Sequence, residues 1–485
     1  MTAARFFDAG WKMKKGESFT DKIGFVLAAA GSAVGLGNIW RFPYLAAQYG
    51  GGIFLLTYLV LVLTFGYALL VSENCIGRMT RKGPIGAYRE LCAGRRSFLG
   101  QVRVGGWINA AVPLVIVPYY SVIGGWVTKY VVALSTTPIA RFSKDALEMN
   151  QNGSPVKASE AYFMNFISAS WEPTVYFLIF VAVLSAVVAL GVEKGVERFN
   201  KILMPVLFLM IVGICVYCLF LPNAGAGLEY YLKPDWSKFS YMTIVAAMGQ
   251  LFFSLSIAMG IMITYGAYMR KEDDLVSSVN QVEFFDTAVA FLAGLMIIPA
   301  VVAFGGKQAA ESAGAGLVFI TMPQVFASFR GGQAVGVAFF VLVLFAAATS
   351  AISLLETNVH TISQEMKIPR SKAIVLCVAE ILAVGVVTVL GYSVFSHICP
   401  LGFIDAYKDK NILDSLDFIS NSVLMPIGAI FTTILVVAVV GLERFSAEIR
   451  SRGKWRREYL FQLCMSVMVI PCLLVVLLYA TGLLH

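Results

Sequence analysis

The chain has 485 residues with a mean hydropathy of +0.77, and only 14% of them are charged. Soluble domains average about 25% charged residues, so this composition excludes an ordinary soluble protein and indicates an integral membrane protein. The formal net charge is +8. With a cytoplasmic N-terminus, the inner segments hold 26 of the 37 Lys and Arg residues, which is the positive-inside bias. Membrane orientation therefore explains the basic character, and a nucleic-acid surface is not needed.

Eleven segments are apolar and long enough to cross a bilayer, which takes about 20 residues. They are residues 23–48, 53–77, 104–133, 172–192, 199–221, 240–268, 282–304, 333–362, 372–392, 414–441 and 459–483. The first segment is too long for a cleaved signal peptide. The predicted fold class is thus an all-α integral membrane protein with eleven transmembrane helices. With the N-terminus in the cytoplasm, as the positive-inside bias predicts, eleven spans place the C-terminus outside.

The first span is interrupted at its middle by the glycine-rich sequence GSAVGLG, residues 31–37. A helix in lipid closes its backbone hydrogen bonds internally, and a break is tolerated only where the freed groups face protein, water or a ligand. Asn38 and Arg41 follow at once, and polar groups at membrane depth are costly enough to indicate function. The pattern predicts a binding site built from a broken helix.

The sixth span contains a second interruption, GQLFFSLSIAMG at residues 249–260. Five spans separate the two breaks, so the second half begins from the opposite side of the membrane, as in inverted-repeat transporters with a site at the midplane. The alternative is that the glycines only allow close helix packing. The predicted organisation is an N-terminal segment 1–22, a first five-helix repeat 23–221, a connection 222–239, a second repeat 240–441, and a cytoplasmic loop with the eleventh helix, 442–485.

Several motifs together resemble the neurotransmitter:sodium symporter family, in its prokaryotic eleven-span amino-acid transporter branch. The motifs are GSAVGLGNIWRFPY at 31–44, GGG at 50–52, GLEYYLKPDW at 227–236, GQLFFSLS at 249–256, ATSAISLLE at 348–356 and LDF at 416–418. The resemblance implies a five-plus-five inverted repeat in which helices one and six are broken. It also implies sodium-coupled symport of an amino acid, with two sodium ions and no organic cofactor.

Sodium is a hard cation that prefers oxygen ligands, and the resemblance implies two sets of them. The first set is the Ala33 carbonyl with Asn38, Ser254 and Asp286, completed by the substrate carboxylate. The second set is the carbonyls of Gly31, Val34 and Ala346 with the hydroxyls of Thr349 and Ser350. For the two hydroxyls, a hydrogen bond to a carbonyl of their own helix is the structural alternative.

Asp286 is an ionisable residue deep in an apolar span, where a charge is expensive unless it meets a cation. Chloride-binding members of the family have Asn there and Ser four residues later, whereas this chain has Asp286 and Ala290. We therefore expect chloride-independent transport, with Tyr58 and Gln250 as hydrogen-bonding neighbours. A protonated Asp286 that only donates or accepts a hydrogen bond is the alternative.

Gly35 lies where monoamine carriers of the family have Asp, so the resemblance implies a substrate that brings its own carboxylate. We expect a neutral, hydrophobic or aromatic amino acid. Ala258 replaces a Gly of some amino-acid carriers and should narrow the pocket. The predicted substrate-binding residues are Ser32, Ala33, Leu36, Gly37, Ile116, Tyr120, Phe253, Ser254, Ser256, Met259, Ser350 and Leu354.

Alternating access requires gates on both sides of the site. The resemblance implies an outer charge pair, Arg41 with Asp417, and an aromatic lid, Tyr120 with Phe253. On the cytoplasmic side Tyr268 and Glu356 match their expected positions, whereas the usual N-terminal Arg and its Asp partner are altered. Lys14 or Lys15 with Glu365 is the substitute pair that we expect. Glu73 should accept hydrogen bonds from the broken helices.

Two other functions remain open at this level. One is a proton-coupled amino-acid carrier of the same superfold, and the other is an amino-acid sensor that does not transport. The chain has no HExxH, GxSxG or P-loop motif, so an enzyme is not expected. A channel is disfavoured because paired gates oppose a continuous pore. We expect a multi-pass protein of the plasma (inner) membrane whose partners are an amino acid, sodium and lipid, and the sequence leaves its oligomeric state open.

Overall fold

The computed structural model describes residues 18–95, 98–143, 146–149, 155–312, 314–402, 408 and 410–480. Helices dominate these ranges. In chain order they are α1 Lys22–Ala33, α2 Phe42–Gln48, α3 Gly52–Leu61, α4 Tyr67–Thr80, α5 Pro84–Leu91, α6 Phe98–Gln101, α7 Val104–Thr136, α8 Ala158–Ser168, α9 Trp171–Ala189, α10 Arg198–Leu219, α11 Ala224–Leu232, α12 Tyr241–Ser254, α13 Ile261–Tyr268, α14 Leu275–Ser312, α15 Thr321–Ala327, α16 Gly332–Met366, α17 Arg370–Leu390, α18 Ile412–Asp417, α19 Met425–Ile434, α20 Leu442–Arg450, α21 Glu458–Leu463 and α22 Val469–Ala480.

Several of these helices are joined end to end by π-helical turns, so that two of them form one span, as α3 and α4 do in Gly52–Thr80. The π-helical segments are Gly37–Arg41, Val62–Gly66, Val192–Glu197, Phe418–Leu424, Leu435–Val440 and Cys464–Met468. Short 3-10 turns occupy Ile139–Phe142, Trp236–Lys238 and Gly314–Leu317. The strands are β1 Leu147–Met149 and β2 Pro155–Lys157, an antiparallel pair that places Glu148 opposite Val156.

Among the described residues, nine helical stretches are long and apolar enough to cross a membrane. A tenth arises if Lys22–Ala33 and Gly37–Gln48, which meet at 47°, count as one bent span. The segment expected as the sixth span consists of α12, with 14 residues, and α13, with 8. Each piece is shorter than the roughly 20 residues that a bilayer requires, so the count of eleven stays a prediction.

The two predicted helix breaks are present. In the first span, α1 ends at Ala33, and Val34 has an extended conformation (φ −76°, ψ 95°). In the sixth span, residues 255–260 separate α12 from α13, and Ser256, Ala258 and Gly260 have positive φ values of 52°, 59° and 68°. Left-handed backbone is disfavoured for Ser and Ala. Interactions with the surrounding protein must therefore stabilise this turn.

The broken spans lie inside the bundle, packed against long continuous helices. α1 contacts α14, α16 and α10, and α13 packs along α4. At the α4–α13 contact, a Cβ on Gly77 would lie 1.9 Å from the Ile263 carbonyl oxygen, and one on Gly266 would lie 2.3 Å from that of Asn74. The two backbones therefore touch directly, as small residues permit in membrane helix pairs.

Candidate functional site

Asp286 lies where the breaks in the two spans face each other, and its side chain is fully buried. Asn38 Nδ2 donates to Asp286 Oδ1 at 2.7 Å, and Ser254 Oγ donates to the same oxygen at 2.8 Å. The Tyr58 hydroxyl lies 3.4 Å from Asp286 Oδ2. These hydrogen-bond partners are all neutral. A buried carboxylate of this kind requires either a cation or a proton.

The Asn38 side chain also fixes the unwound backbone of the first span. Its Oδ1 accepts a hydrogen bond from the Gly35 amide at 3.1 Å, while Nδ2 contacts Ser254 Oγ at 3.0 Å. Gln250 Nε2 donates to the Gly37 carbonyl at 2.9 Å. Three of the four predicted ligands of the first sodium set, Asn38, Ser254 and Asp286, thus lie in mutual contact. Tyr58 and Gln250 are hydrogen-bonding neighbours, as the sequence analysis expects.

The second predicted oxygen set is assembled between the end of α1 and α16. Ser350 Oγ lies 3.3 Å from the carbonyl oxygens of both Gly31 and Val34, and 2.9 Å from that of Ser32. Thr349 Oγ1 donates to the Phe345 and Ala346 carbonyls, each at 3.1 Å. The Thr349 bond is the alternative that the sequence analysis left open. All of the grouped atoms are oxygens, which is the chemistry that sodium prefers.

A small cavity lies beside the two oxygen sets. Its volume is about 20 Å³, close to the minimum that holds one water molecule, so an amino acid requires the walls to move apart. The lining residues are Ser32, Ala33, Gly35, Gly37, Ile116, Tyr120, Phe253, Ser256, Met259, Ile261, Ser350 and Leu354.

Ten of the twelve predicted substrate residues line this cavity, and two do not. Leu36 is buried behind it, and its backbone amide donates to the Tyr120 hydroxyl at 3.1 Å. Ser254 is turned toward Asp286. Sequence reasoning did not include Ile261, the first residue of α13, which lines the cavity directly after the turn formed by residues 255–260. Ala258, expected to narrow the pocket, is not among the lining residues.

Gly35 is a close-packed position. A Cβ there would lie 2.4 Å from Ser350 Oγ and 2.9 Å from the Tyr120 hydroxyl. No side chain fits at residue 35 unless its neighbours shift. The space that an acidic side chain would need is therefore taken by groups of the second oxygen set and of the lid.

The predicted outer gate is only partly formed. The Tyr120 and Phe253 rings lie 6.5 Å apart, and the Arg41 guanidinium lies 5.5 Å from the centre of the Phe253 ring. In the part of the chain that the structure describes, Arg41 and Asp417 make no direct ion pair. Asp417 instead accepts hydrogen bonds from the Tyr119 hydroxyl, at 3.2 Å, and from Asn421. Neither partner of Asp417 was predicted from the sequence.

Comparisons with known proteins identify the family. The sequence profile described as "Sodium:neurotransmitter symporter family" matches residues 16–483. The chain belongs to the sodium:neurotransmitter symporter family. It is similar to an uncharacterized sodium-dependent transporter, YhdH, of Bacillus subtilis, with 33% identity over 92% of this chain and 93% of the relative. An uncharacterized sodium-dependent transporter of Haemophilus influenzae is 31% identical over 87% of this chain and 89% of the relative.

A solved structure extends the comparison to the fold. The crystal structure of MhsT in complex with L-phenylalanine matches with a TM-score of 0.83 and 34% identity, covering 96% of this chain and 99% of that chain. The predicted fold class and family are therefore confirmed. This member of the sodium:neurotransmitter symporter family is a multi-pass membrane transporter that depends on sodium, and it is not an enzyme.

On the side of this symporter that the positive-inside rule assigns to the cytoplasm, Tyr268 and Glu356 are in contact. The Tyr268 hydroxyl donates to Glu356 Oε1 at 2.8 Å. Arg370 donates to both oxygens of Glu356, so the carboxylate has a cationic partner that sequence reasoning missed. The basic sequence IPRSK, residues 368–372 just after the eighth predicted span, is the feature that could have indicated this partner. Phe19 packs edge-on against Tyr268, and its amide donates to the Tyr268 carbonyl at 3.2 Å.

In the described part of the chain, Glu365 pairs with a different residue from the predicted Lys14 or Lys15. Its carboxylate forms a salt bridge with Arg89 of α5, and Lys14 and Lys15 lie outside the described residues. Other groups hold the start of the first span. Glu197 accepts the Thr20 amide at 2.9 Å, and the backbone amide of Gly24 lowers the pKa of the Asp21 carboxyl. Glu197 was missed although it lies in a charged stretch at the start of the fifth span.

Glu73 takes the role that the sequence predicts for it. Its Oε1 accepts the backbone amide of Ala258 at 2.6 Å, within the unwound segment of the sixth span. Ala258 is one of the residues with positive φ. The carboxylate of α4 therefore stabilises a strained turn whose amide has lost its helical partner.

Proposed function

We propose that this protein carries a neutral, hydrophobic or aromatic amino acid into the cell together with sodium, by alternating access and without chloride. The observation that carries the proposal is the grouping of Asn38, Ser254 and Asp286 beside a largely apolar cavity at the two helix breaks. The buried carboxylate supplies a fixed negative charge for a cation. The substrate carboxylate would complete the first sodium set, with the Ala33 carbonyl as the remaining protein ligand.

The chemistry of the cavity supports the substrate class. Ile116, Met259 and Leu354 provide apolar surface, and Met adapts to side chains of different shape. No Lys, Arg, Asp or Glu is among the lining residues. The close-packed Gly35 disfavours substrates that lack a carboxylate, since no acidic side chain can stand in for one there. The solved relative MhsT was crystallised with L-phenylalanine.

Unwound helix ends supply the groups that would hold the amino and carboxyl groups. We propose that the substrate carboxylate meets the Gly37 amide and the Tyr120 hydroxyl, and that the ammonium meets the carbonyls of Ala33, Phe253 and Ser254. Helix-end dipoles favour this orientation. Closure of Tyr120 and Phe253 would then separate the bound amino acid from the outside. Tyr268 and Glu356 would have to separate for release to the cytoplasm.

The proposed orientation follows from the distribution of Lys and Arg: a plasma-membrane location with the N-terminus in the cytoplasm and the C-terminus outside. We also propose two inverted repeats, 23–221 and 240–441, that meet at the broken helices. The second sodium set is Gly31, Val34, Ala346, Thr349 and Ser350. Two sodium ions per cycle is the proposed number.

The test is a thermal-stability screen of the purified protein against the twenty amino acids, in sodium and in choline. A ligand raises apparent stability according to its occupancy. We expect leucine, phenylalanine, tyrosine or tryptophan to stabilise the protein in sodium only, with chloride and gluconate equivalent. Stabilisation by a charged amino acid alone would contradict the pocket assignment. Equal stabilisation in choline would favour the proton-coupled alternative, and binding without uptake into vesicles would favour a sensor.

A further inference from the structure

A second, larger cavity lies away from the transport site, at the end of the molecule assigned to the cytoplasm. It has a volume of about 440 Å³ and lies between the first turns of α14, residues 274–284, and the segment 454–457 that joins α20 to α21. We call it the cytoplasmic recess. None of its lining residues belongs to the sodium sets, the small cavity or the gates. The transport mechanism therefore leaves it without a role.

The cytoplasmic recess is cationic. Lys454, Arg456 and Arg457 line it, and the first two are exposed. Lys22 reaches its wall by donating to Ser277 Oγ at 2.7 Å. Asp274 is the one acidic residue among the lining residues. Lys454, Arg456 and Lys22 around one carboxylate leave an excess of positive charge, which favours an anionic ligand.

Arg457 is held in place rather than free to move. Its Nη1 donates to both carboxylate oxygens of Glu283, at 3.0 and 2.9 Å, and its guanidinium lies 4.3 Å from the centre of the Tyr67 ring. The Tyr67 hydroxyl in turn accepts from Trp455 Nε1 at 2.8 Å. This network fixes the back wall of the recess and leaves Lys454 and Arg456 to meet a ligand in front of it.

Asn280 indicates a second feature of the ligand. Its side-chain oxygen is buried and has no hydrogen-bond partner in the described part of the chain. Such an acceptor is costly unless a donor reaches it. A phosphate that carries no proton cannot donate, whereas a hydroxyl group on the same ligand can. An anionic ligand that also carries a hydroxyl group would satisfy both observations.

The position of the recess points to a lipid. Phe284, which lines it, is 65% exposed, and Tyr459 just beyond it is 79% exposed. Exposed aromatic side chains next to Lys and Arg are typical of the membrane interface. Basic pockets between membrane helices on the cytoplasmic side bind anionic headgroups. We propose that the cytoplasmic recess binds one anionic glycerophospholipid with a hydroxyl-bearing headgroup, its phosphate at Lys454 and Arg456 and a hydroxyl at Asn280.

The experiment is native mass spectrometry of the purified full chain, titrated with phosphatidylglycerol, phosphatidic acid or phosphatidylcholine. The test variant is Lys454→Gln with Arg456→Gln. The control is Lys271→Gln with Arg452→Gln, which removes two positive charges from the same side but outside the recess. Each basic residue near anionic lipid contributes about fivefold in affinity. We expect the test variant to weaken retention of one phosphatidylglycerol by about 25-fold and the control to change it less than threefold.

A third variant tests the hydroxyl contact. The hydroxyl contact predicts that the unmodified protein binds phosphatidylglycerol more tightly than phosphatidic acid. Asn280→Ala leaves the charges intact, so we expect phosphatidic acid to bind as before and this preference to disappear. Equal binding of phosphatidylcholine and phosphatidylglycerol by the unmodified protein would overturn the proposal. An equal loss of phosphatidylglycerol binding in the test and control variants would show a diffuse electrostatic attraction of the lipid to the whole surface, which would overturn the proposed site. Displacement of the lipid by millimolar inorganic phosphate would show that the recess binds free phosphate.

Discussion

Replacement of Gly35 by Ala tests the close packing at the centre of the proposed site. The added Cβ would lie 2.4 Å from Ser350 Oγ, 3.2 Å from Ser350 Cβ and 2.9 Å from the Tyr120 hydroxyl. The Ser350 hydroxyl must then rotate away from the carbonyls of the second sodium set. We expect Gly35→Ala to lower the melting temperature and also to weaken sodium-dependent binding.

Two costs contribute to this effect. Overpacking of a well-filled interior costs about 1–3 kcal/mol. Displacement of the Ser350 hydroxyl from the Ser32 carbonyl, 2.9 Å away, removes a hydrogen bond worth about 1 kcal/mol. The overpacking cost lowers the free energy of unfolding whether or not sodium is present, whereas the loss of the Ser350 hydroxyl, about 1 kcal/mol, corresponds to a roughly fivefold weaker sodium response. Gly213→Ala is the matched control, since nothing lies within 4 Å of a Cβ at that helical position.

The assay is a sodium titration, read as thermal stabilisation of the purified protein and as amino-acid uptake into proteoliposomes. Gly213→Ala should behave as the unmodified protein. Gly35→Ala combined with Ser350→Ala removes the closest contact, so it should recover the melting temperature but not the sodium response. A Gly35→Ala variant with an unchanged sodium titration would refute the assignment of Ser350 to a sodium site.

Three further variants test other parts of the structure. Asp286→Asn removes the fixed negative charge but keeps the shape of the side chain, so amino-acid uptake should become chloride-dependent. Equal uptake in chloride and in gluconate would contradict the role given to the carboxylate. Glu73→Leu removes the acceptor of the Ala258 amide, which lies 2.6 Å from Glu73 Oε1. The unpaired amide costs about 1–3 kcal/mol, so thermal scans should show a lower melting temperature. Glu73→Gln keeps an acceptor oxygen and should largely restore it. Tyr268→Phe removes the hydroxyl that donates to Glu356 at 2.8 Å, so backbone hydrogen exchange in residues 18–33 should become faster. An unchanged exchange rate would mean that this hydrogen bond does not hold the cytoplasmic side closed.

The helix breaks and most of the central site were predictable because their physical signals are local. Glycine runs inside apolar spans and the isolated Asp286 can be read directly from the sequence. The family resemblance then brought Asn38, Ser254 and Ser350 to the same place. Glu73 was predictable for a related reason, since an unwound turn has amides that need an acceptor.

The gates were less predictable because their partners come from distant parts of the chain. Asp417 contacts Tyr119 and Asn421 rather than Arg41, and Glu356 is held by Arg370. An ion pair can be replaced by hydrogen bonds from several neutral groups at similar distances, and composition does not distinguish these arrangements. The cavity wall also gained Ile261, whose direction depends on the backbone path through residues 255–260.

The direct backbone contact between α4 and α13 limits how this protein can change shape. Gly77 and Gly266 leave no side-chain layer between the two helices, so neither helix can slide or tilt past the other without a steric clash. We therefore expect the second half of the sixth span to move together with the second span. We expect the flexing in residues 255–257, ahead of Ala258, because the Glu73 carboxylate of α4 holds the Ala258 amide.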